Sequence, residues 1–270
     1  MSVVSRLRCA SVLGLSLLLL SSAYAHRSFM VPSSTVLTDT GRQWVTIDAA
    51  RGNDLFFFNH NAMPVDSLHI TAPDGSAVVP DKLERLRYRH VFDIQLTQPG
   101  TWQVAVVENG LRARWKENGT EKRWNGDRAG YAQAVPAQAT DLAVSYVQSR
   151  IETFVTVGKP TTPKLSAQGL EARYLPHPND LYASETSTIT FYRNGQPAAD
   201  LPVTLIAGGT RYRDQANEMR LKTNSDGSIR VTWPQAGLFW INASLREPEA
   251  AAPATSGSMS YTATVEVFPR

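Results

Sequence analysis

Cysteine is almost missing from this chain. Its 270 residues hold one, Cys9, and that one falls in the N-terminal leader described below, so no disulfide can staple the fold and no thiol is left for nucleophilic chemistry. Long apolar runs are missing too. Beyond the leader no stretch approaches the roughly 20 apolar residues a membrane-spanning helix needs, which predicts a protein without a membrane anchor. No window of ten or more residues carries the apolar spacing of an amphipathic helix. There is no G-x-S-x-G, no H-E-x-x-H and no Gly-rich phosphate loop, and the acidic residues form no evident catalytic pair, so the expectation is a non-catalytic protein. Strong charge is absent as well. The formal net charge is +3, and it falls to +1 without Arg6 and Arg8, the only charged residues among the first 25 (3 − 2 = 1). That balance gives a nucleic-acid partner no support.

What is present begins with a secretory leader over residues 1–25. Arg6 and Arg8 form a positive start, "ASVLGLSLLLL" a short apolar middle, and Ala23-Tyr24-Ala25 a small-x-small cleavage site. Cys9 lies before the apolar middle and so is not placed as a lipidated first residue. Cleavage predicts export to the periplasm and a mature chain beginning at His26.

The rest reads as strands and turns. "QWVTIDAA" (43–50) and "SLHITAPDGSAVV" (67–79) alternate apolar and polar residues, the second around an Asp-Gly turn. "VFDIQLTQPGTWQVAVV" (91–107) is two strands about Pro99-Gly100, and Asn118-Gly119 centres a hairpin within 112–126. "LAVSYVQSRIETFVTV" (142–157) is one long strand or two separated by a bend. "NDLFFFNHNAM" reads as a strand buried on both faces over Leu55–Phe58, ending in a loop at His60. The Pro- and Gly-bearing stretch 158–169 is a linker, and strands resume after it, with 246–258 a mobile loop before the last one. "QLTQPGTWQVAV" and "TWPQAGLFWINA" echo each other, as do "APDGSAVV" and "NSDGSIRV". The pattern predicts an all-β protein of two Ig-like or transthyretin-like β-sandwiches, over residues 26–160 and 161–270.

Histidines carry the chemistry. A mature His26 offers an α-amine and an imidazole from one residue, two nitrogens suited to copper, nickel, cobalt or zinc. His60 sits at the end of the phenylalanine run, where loops carry sites. His177 is held between two prolines in "LPHPNDLY". His69 lies in an alternating strand with its side chain toward solvent, and His90 ends the basic run "KLERLRYRH", so both read as surface residues. Trp115 and Trp124 flank the Asn-Gly turn and offer either a stacking surface for a glycan or a structural pair. Arg211 and Arg213 in "GGTRYRD" are placed to bind an anion or to pin the two halves together.

Several of these stretches together carry a resemblance: "AHRSFMVPSSTVL", "NDLFFFNHNAM", "VFDIQLTQPGTWQVAV", "RIETFVTVGKPT", "HPNDLYASE" and "GGTRYRD". The chain resembles a bacterial exported family, formally a domain of unknown function, associated with nickel or cobalt uptake. Its second half, through "GQPAADLPVTL" and "TNSDGSIRVTWPQAGLFWINA", is similar to carboxypeptidase-regulatory or transthyretin-like sandwiches. The resemblance implies a periplasmic component of metal uptake with nickel or cobalt as its ion, a membrane transporter as partner, and His26, His60 and His177 as ligands. An ion shared by His60 and His177 would also clamp the two halves. Periplasmic copper carriers, which likewise begin with histidine and are β-sandwiches, give copper as the alternative, and a glycan-binding module is the other.

Overall fold

The structure, a computed structural model, describes residues 26–39 and 41–270; the leader read at 1–25 lies outside them. Three sheets carry the chain. A five-stranded sheet runs Arg27–Pro32, Gln43–Gly52, His90–Leu96, Lys82–Arg85, with Asn61–Ala62 also paired to Gln43–Gly52. A four-stranded sheet centres on Thr186–Arg193, flanked by Leu170–Leu175, Gln196–Pro197 and Ser228–Thr232. A ten-stranded sheet spans both halves and backs each of the others. The protein is therefore all-β and sandwich-like, with one short α-helix, Arg128–Ala134, and one 3-10 turn, Thr210–Tyr212, among the described residues, none of whose helices is long and apolar enough to cross a membrane.

Alternation explains the two main cores. Val45, Ile47 and Ala49 on one strand and Phe92, Ile94 and Leu96 on its neighbour turn inward onto Trp102, Val104 and Val155. The second core gathers Ile189, Phe191, Trp233, Phe239, Ile241 and Tyr261. Phe154, from before the 158–169 stretch, packs into this second core. The join between halves is a parallel ladder, Thr140–Val157 beside Ser256–Val267, in register from Ser145↔Ser256 to Thr153↔Thr264. Beneath it lies Glu152, buried, accepting from Tyr261 Oη at 2.7 Å and Gln103 Nε2 at 2.8 Å and paired with Arg150 at 3.2 Å.

The sequence echoes correspond to repeated local geometry. Asp74-Gly75-Ser76 and Asp226-Gly227-Ser228 make the same turn: each serine donates its backbone N–H and its hydroxyl to the aspartate Oδ1, at 2.8 and 2.7 Å in one and 3.0 and 2.7 Å in the other. Pro99-Gly100 and Ala236-Gly237 are arches rather than hairpins, since the strands on either side of each belong to opposite sheets. Both return strands open on a glycine of almost the same positive φ, 120° and 123°, which a residue with a Cβ adopts only under strain. The Asn118-Gly119 turn closes a true hairpin, Glu117 facing Thr120, with both φ values positive as the tight turn requires.

Two expectations are corrected. Leu55–Phe58 is a turn, not a strand. Its phenylalanines turn two ways, Phe56 and Phe58 onto Phe29 and Phe57 onto Tyr212, and Phe56 takes a positive φ of 65°. An apolar run reads as a strand, but here Phe56 and Phe58 pack against the small cluster between the halves and Phe57 turns to Tyr212. The 246–258 segment is not a free loop either: Ala254 is buried, Thr255 N–H donates to Val144 O at 3.0 Å, and strand pairing resumes at Ser256.

Candidate metal centre

The last two residues of strand Gln43–Gly52 set the site. Arg27 pairs with Gly52 on one side, and Asn61 with Arg51 on the other. His26 and His60 each stand one residue beyond these pairs, so the two imidazoles converge across the strand end. Their ring centroids lie 3.4 Å apart with planes only 12° from parallel. Gly52 makes this possible. A Cβ there would sit 2.5 Å from the carbonyl oxygens of both Asp54 and Phe57, so any side chain would displace the loop that leads to His60.

That loop is closed on itself and onto the other half. Asn53 N–H donates to Asn59 Oδ1 at 2.9 Å, and Asn59 Nδ2 to Asp54 Oδ2 at 2.8 Å. Leu55 N–H donates to Thr210 Oγ1 at 2.9 Å, and the Arg211 guanidinium covers the Phe57 ring at 5.3 Å. "GGTRYRD" thus pins the junction through Thr210 and Arg211, while Arg213 bonds to Ala207 O and Ala216 O within its own turn. Under the loop, Phe29, Ala50, Leu55, Ile206 and Trp240 form a small buried cluster between the halves, and Trp240 Nε1–H donates to Ser28 O at 3.0 Å.

Desolvation lowers the pKa of His60, and the neighbouring His26 and Arg51 charges lower it further. Both effects favour the neutral form of His60, which is the form that binds metal. Among the described residues no group of three or more His, Cys, Asp or Glu gathers around an ion. The two rings therefore need a further donor, and the nearest by connectivity is the α-amine that His26 would own as a first residue.

His177 is not brought to this pair. It lies by Thr101, next to Gly100 and beyond the Gln43↔Leu96 end of the five-stranded sheet. The nine residue steps of Gln43–Gly52 put the two ends roughly 30 Å apart. Its ring is fully engaged there: Nδ1 accepts from Asn179 N–H at 3.1 Å, leaving Nε2 to donate to Thr161 O at 3.1 Å, with Thr101 Oγ1 at 3.0 Å. The proline-flanked histidine ties the 158–169 stretch to the first half. His69 is exposed on its strand, and His90 opens the strand facing Ala49 with Nδ1 buried and without a protein partner. Gly52, Ser28 and Arg51 are the site residues that sequence reasoning missed; the Arg-Gly ending of a strand just before the phenylalanine run was the available signal.

Fold and site together describe an all-β protein of two sandwiches sharing one sheet, with a surface histidine pair at one strand end. The chain belongs to the family described as domain of unknown function (DUF4198), which it matches over residues 23–247. No curated protein matches it. Among solved structures it is similar to the D0-D1 domain of intimin, at 13% identity over 88% of this chain and 97% of that one, with a TM-score of 0.23. It is also similar to the FN1–FN3 domains of chicken CNTN1, at 8% identity over 90% and 99%, with a TM-score of 0.24. At these scores neither likeness bears on fold or function.

Proposed function

We propose that the mature chain, beginning at His26 in the periplasm, binds a transition-metal ion and serves nickel or cobalt uptake without catalysis, passing the ion to a membrane transporter. The observation that carries this reading is the meeting of His26 and His60 at one strand end, within reach of one ion once the rings turn out of their face-to-face stack. Two imidazoles and one terminal amine make an all-nitrogen donor set, which suits nickel, cobalt, copper and zinc rather than magnesium or calcium. His177 is left out of the ligand set, and with it the idea that the ion clamps the halves. The transthyretin-like character of the second half belongs to the same reading and adds architecture, not activity.

Copper is the second reading, favoured by the same terminal amine and imidazole because copper binds nitrogen sites most tightly of the divalent series. A glycan surface has less support. Trp115 is buried at 7% exposure, and Trp124 packs edge-on against Tyr131 at 5.9 Å, so neither indole lies open as a platform. The test is calorimetry of the mature protein and its His60→Ala variant with nickel, cobalt, copper and zinc. One-to-one binding that the variant loses supports the reading, and the tightest metal decides between uptake and copper carriage. No binding by the mature protein refutes it.

A further inference from the structure

Two apolar side chains stand in the open at a single turn. Lys82–Arg85 and His90–Leu96 form a hairpin at the outer edge of the five-stranded sheet, with Arg85 facing His90. Leu86 N–H donates to Arg89 O at 3.2 Å, so Arg87 and Tyr88 make the turn. Leu83 and Phe92, farther back on the two strands, pack onto the first core. At the tip, Leu86 is 50% exposed and Tyr88 48%. Neither is spent on the fold.

The same tip is basic. Arg85, Arg87 and Arg89 alternate with the two apolar residues. Arg85 meets Asp66 at 2.9 Å and Arg89 meets Asp48 at 2.7 Å, while Arg87 has no carboxylate within 4 Å among the described residues. The tip is tied to the phenylalanine loop: Ala62 N–H donates to Arg87 O at 3.1 Å, and the Arg89 guanidinium covers the Phe58 ring at 4.5 Å. Arg51, bonded to Ser28, and Arg211, over Phe57, likewise have no carboxylate within 4 Å among the described residues. These five arginines and the three nearby aspartates, Asp48, Asp54 and Asp66, leave this end at +2 (5 − 3 = 2), and Lys82 with Glu84, like Arg213 with Asp214, adds nothing. Residues 26–270 carry +1 in all (27 − 2 − 24 = 1), so the rest of the protein is slightly negative. The positive excess sits at the end that bears the apolar tip.

Leucine and tyrosine set between arginines suit a water–lipid interface. The aliphatic chain enters the acyl boundary, the phenol ring lies at headgroup level, and the guanidiniums meet phosphates. An acidic protein would use the arginines too, but it would need a shaped pocket to take Leu86 and Tyr88. A hairpin tip is convex, and a bilayer needs no pocket. We infer that the Arg85–Arg89 tip is a membrane-contact site, which sets this end of the protein against an anionic phospholipid surface. Two half-exposed side chains and an end of +2 give reversible attachment, not an anchor. The inference does not rest on the metal reading.

The chain from His26 onward has no cysteine, so one introduced cysteine labels one place. Tyr88→Cys and, on the second half, Ala199→Cys are each given an environment-sensitive dye. They are mixed with vesicles of phosphatidylglycerol and phosphatidylethanolamine, or of phosphatidylcholine alone. The dye at 88 should brighten and shift to the blue with the anionic vesicles and far less with phosphatidylcholine, and added salt should weaken the response. The dye at 199 should not respond. In sedimentation of unlabelled protein, Arg87→Gln and Leu86→Ser should each weaken binding to the anionic vesicles about fivefold, the share of one arginine near such a surface and of half a leucine's burial. Both variants should melt as the wild type does. No binding to anionic vesicles overturns the inference, as does binding that leaves the dye at 88 unmoved or that Leu86→Ser does not weaken. A response of the dye at 88 to polyglutamate and not to vesicles overturns it in favour of an acidic protein partner.

Discussion

Phe29 joins the architecture to the site, and its removal has a calculable effect. The ring is fully buried, meets Phe56 edge-on at 5.4 Å, and forms the junction cluster with Ala50, Leu55, Ile206 and Trp240. Phe→Ala in a core costs about 3–5 kcal/mol, part transfer and part cavity, and an edge-on aromatic contact adds about 0.5–1.5 kcal/mol beyond burial. Partners from separate strands and a hydrogen-bonded loop cannot collapse into the space, so Phe29→Ala should lose about 4–5 kcal/mol, in the upper part of that range. Phe29 is three residues after His26 and Phe56 four before His60, so the cavity also loosens both imidazoles. Urea unfolding should show a lower midpoint at unchanged slope, and the folded variant should lose most of its thermal response to metal. Trp240→Phe, which keeps the ring but removes the donation to Ser28 O, should cost about 1 kcal/mol. A Phe29→Ala loss below about 1 kcal/mol, with metal response intact, would refute the idea that this cluster holds the halves and the site together.

Further expectations concern parts away from the pair. His177→Ala should cost about 1–3 kcal/mol by stripping partners from Asn179 and Thr161, speed proteolysis within 158–169, and leave metal response unchanged; a weakened response would return His177 to the ligand set. Glu152 has its pKa raised by burial, against the opposing pull of Arg150, Tyr261 and Gln103. The folded state therefore keeps a proton that the unfolded chain releases, and this group's contribution makes stability fall as pH climbs from the ordinary carboxylate range to the raised value, then levels off. Glu152→Gln should remove that slope in urea midpoints taken from about pH 4 to 8. Gly237→Ala should cost about 1–3 kcal/mol of backbone strain alone, because a Cβ there meets nothing within 4 Å. Gly100→Ala should cost more, since its Cβ would lie 2.6 Å from Pro73 Cβ.

What the sequence made legible was local. The Asp-Gly turns, the Asn118-Gly119 hairpin and the chain reversals at Gly100 and Gly237 are specified by residues a few positions apart, and all are present, though only the structure makes the last two arches between sheets. The sheet shared between the halves was not legible, because Ser145–Thr153 and Ser256–Thr264 pair across more than a hundred residues and nothing in either strand names its partner. Leu55–Phe58 misled because apolar content cannot distinguish a buried strand from a turn whose rings pack onto Phe29 and Tyr212. At the site, His26 and His60 were singled out for their chemistry, and the structure adds their contact. His177 looked equally suited in sequence, but its ring nitrogens serve Asn179 and Thr161 at the far end of the sheet. Arg51 and Ser28 escaped notice because each is one polar residue in a strand, and only the pairing of the two strands brings them together.

The claim on which the functional account rests is that His26, as a first residue, and His60 hold a metal together. The direct measurement is the melting temperature, with and without nickel, cobalt, copper or zinc, of three forms of the protein: one beginning at His26, one with an added methionine before it, and His26→Ala. An ion at a hundredfold excess over its dissociation constant stabilises the fold by roughly 2.7 kcal/mol if the unfolded chain does not bind it. The form beginning at His26 should therefore show a clear rise with its preferred metal. The added methionine, which turns the amine into an amide, should sharply reduce that rise, and His26→Ala should reduce it further. An equal rise in all three, or none in any, would contradict the account.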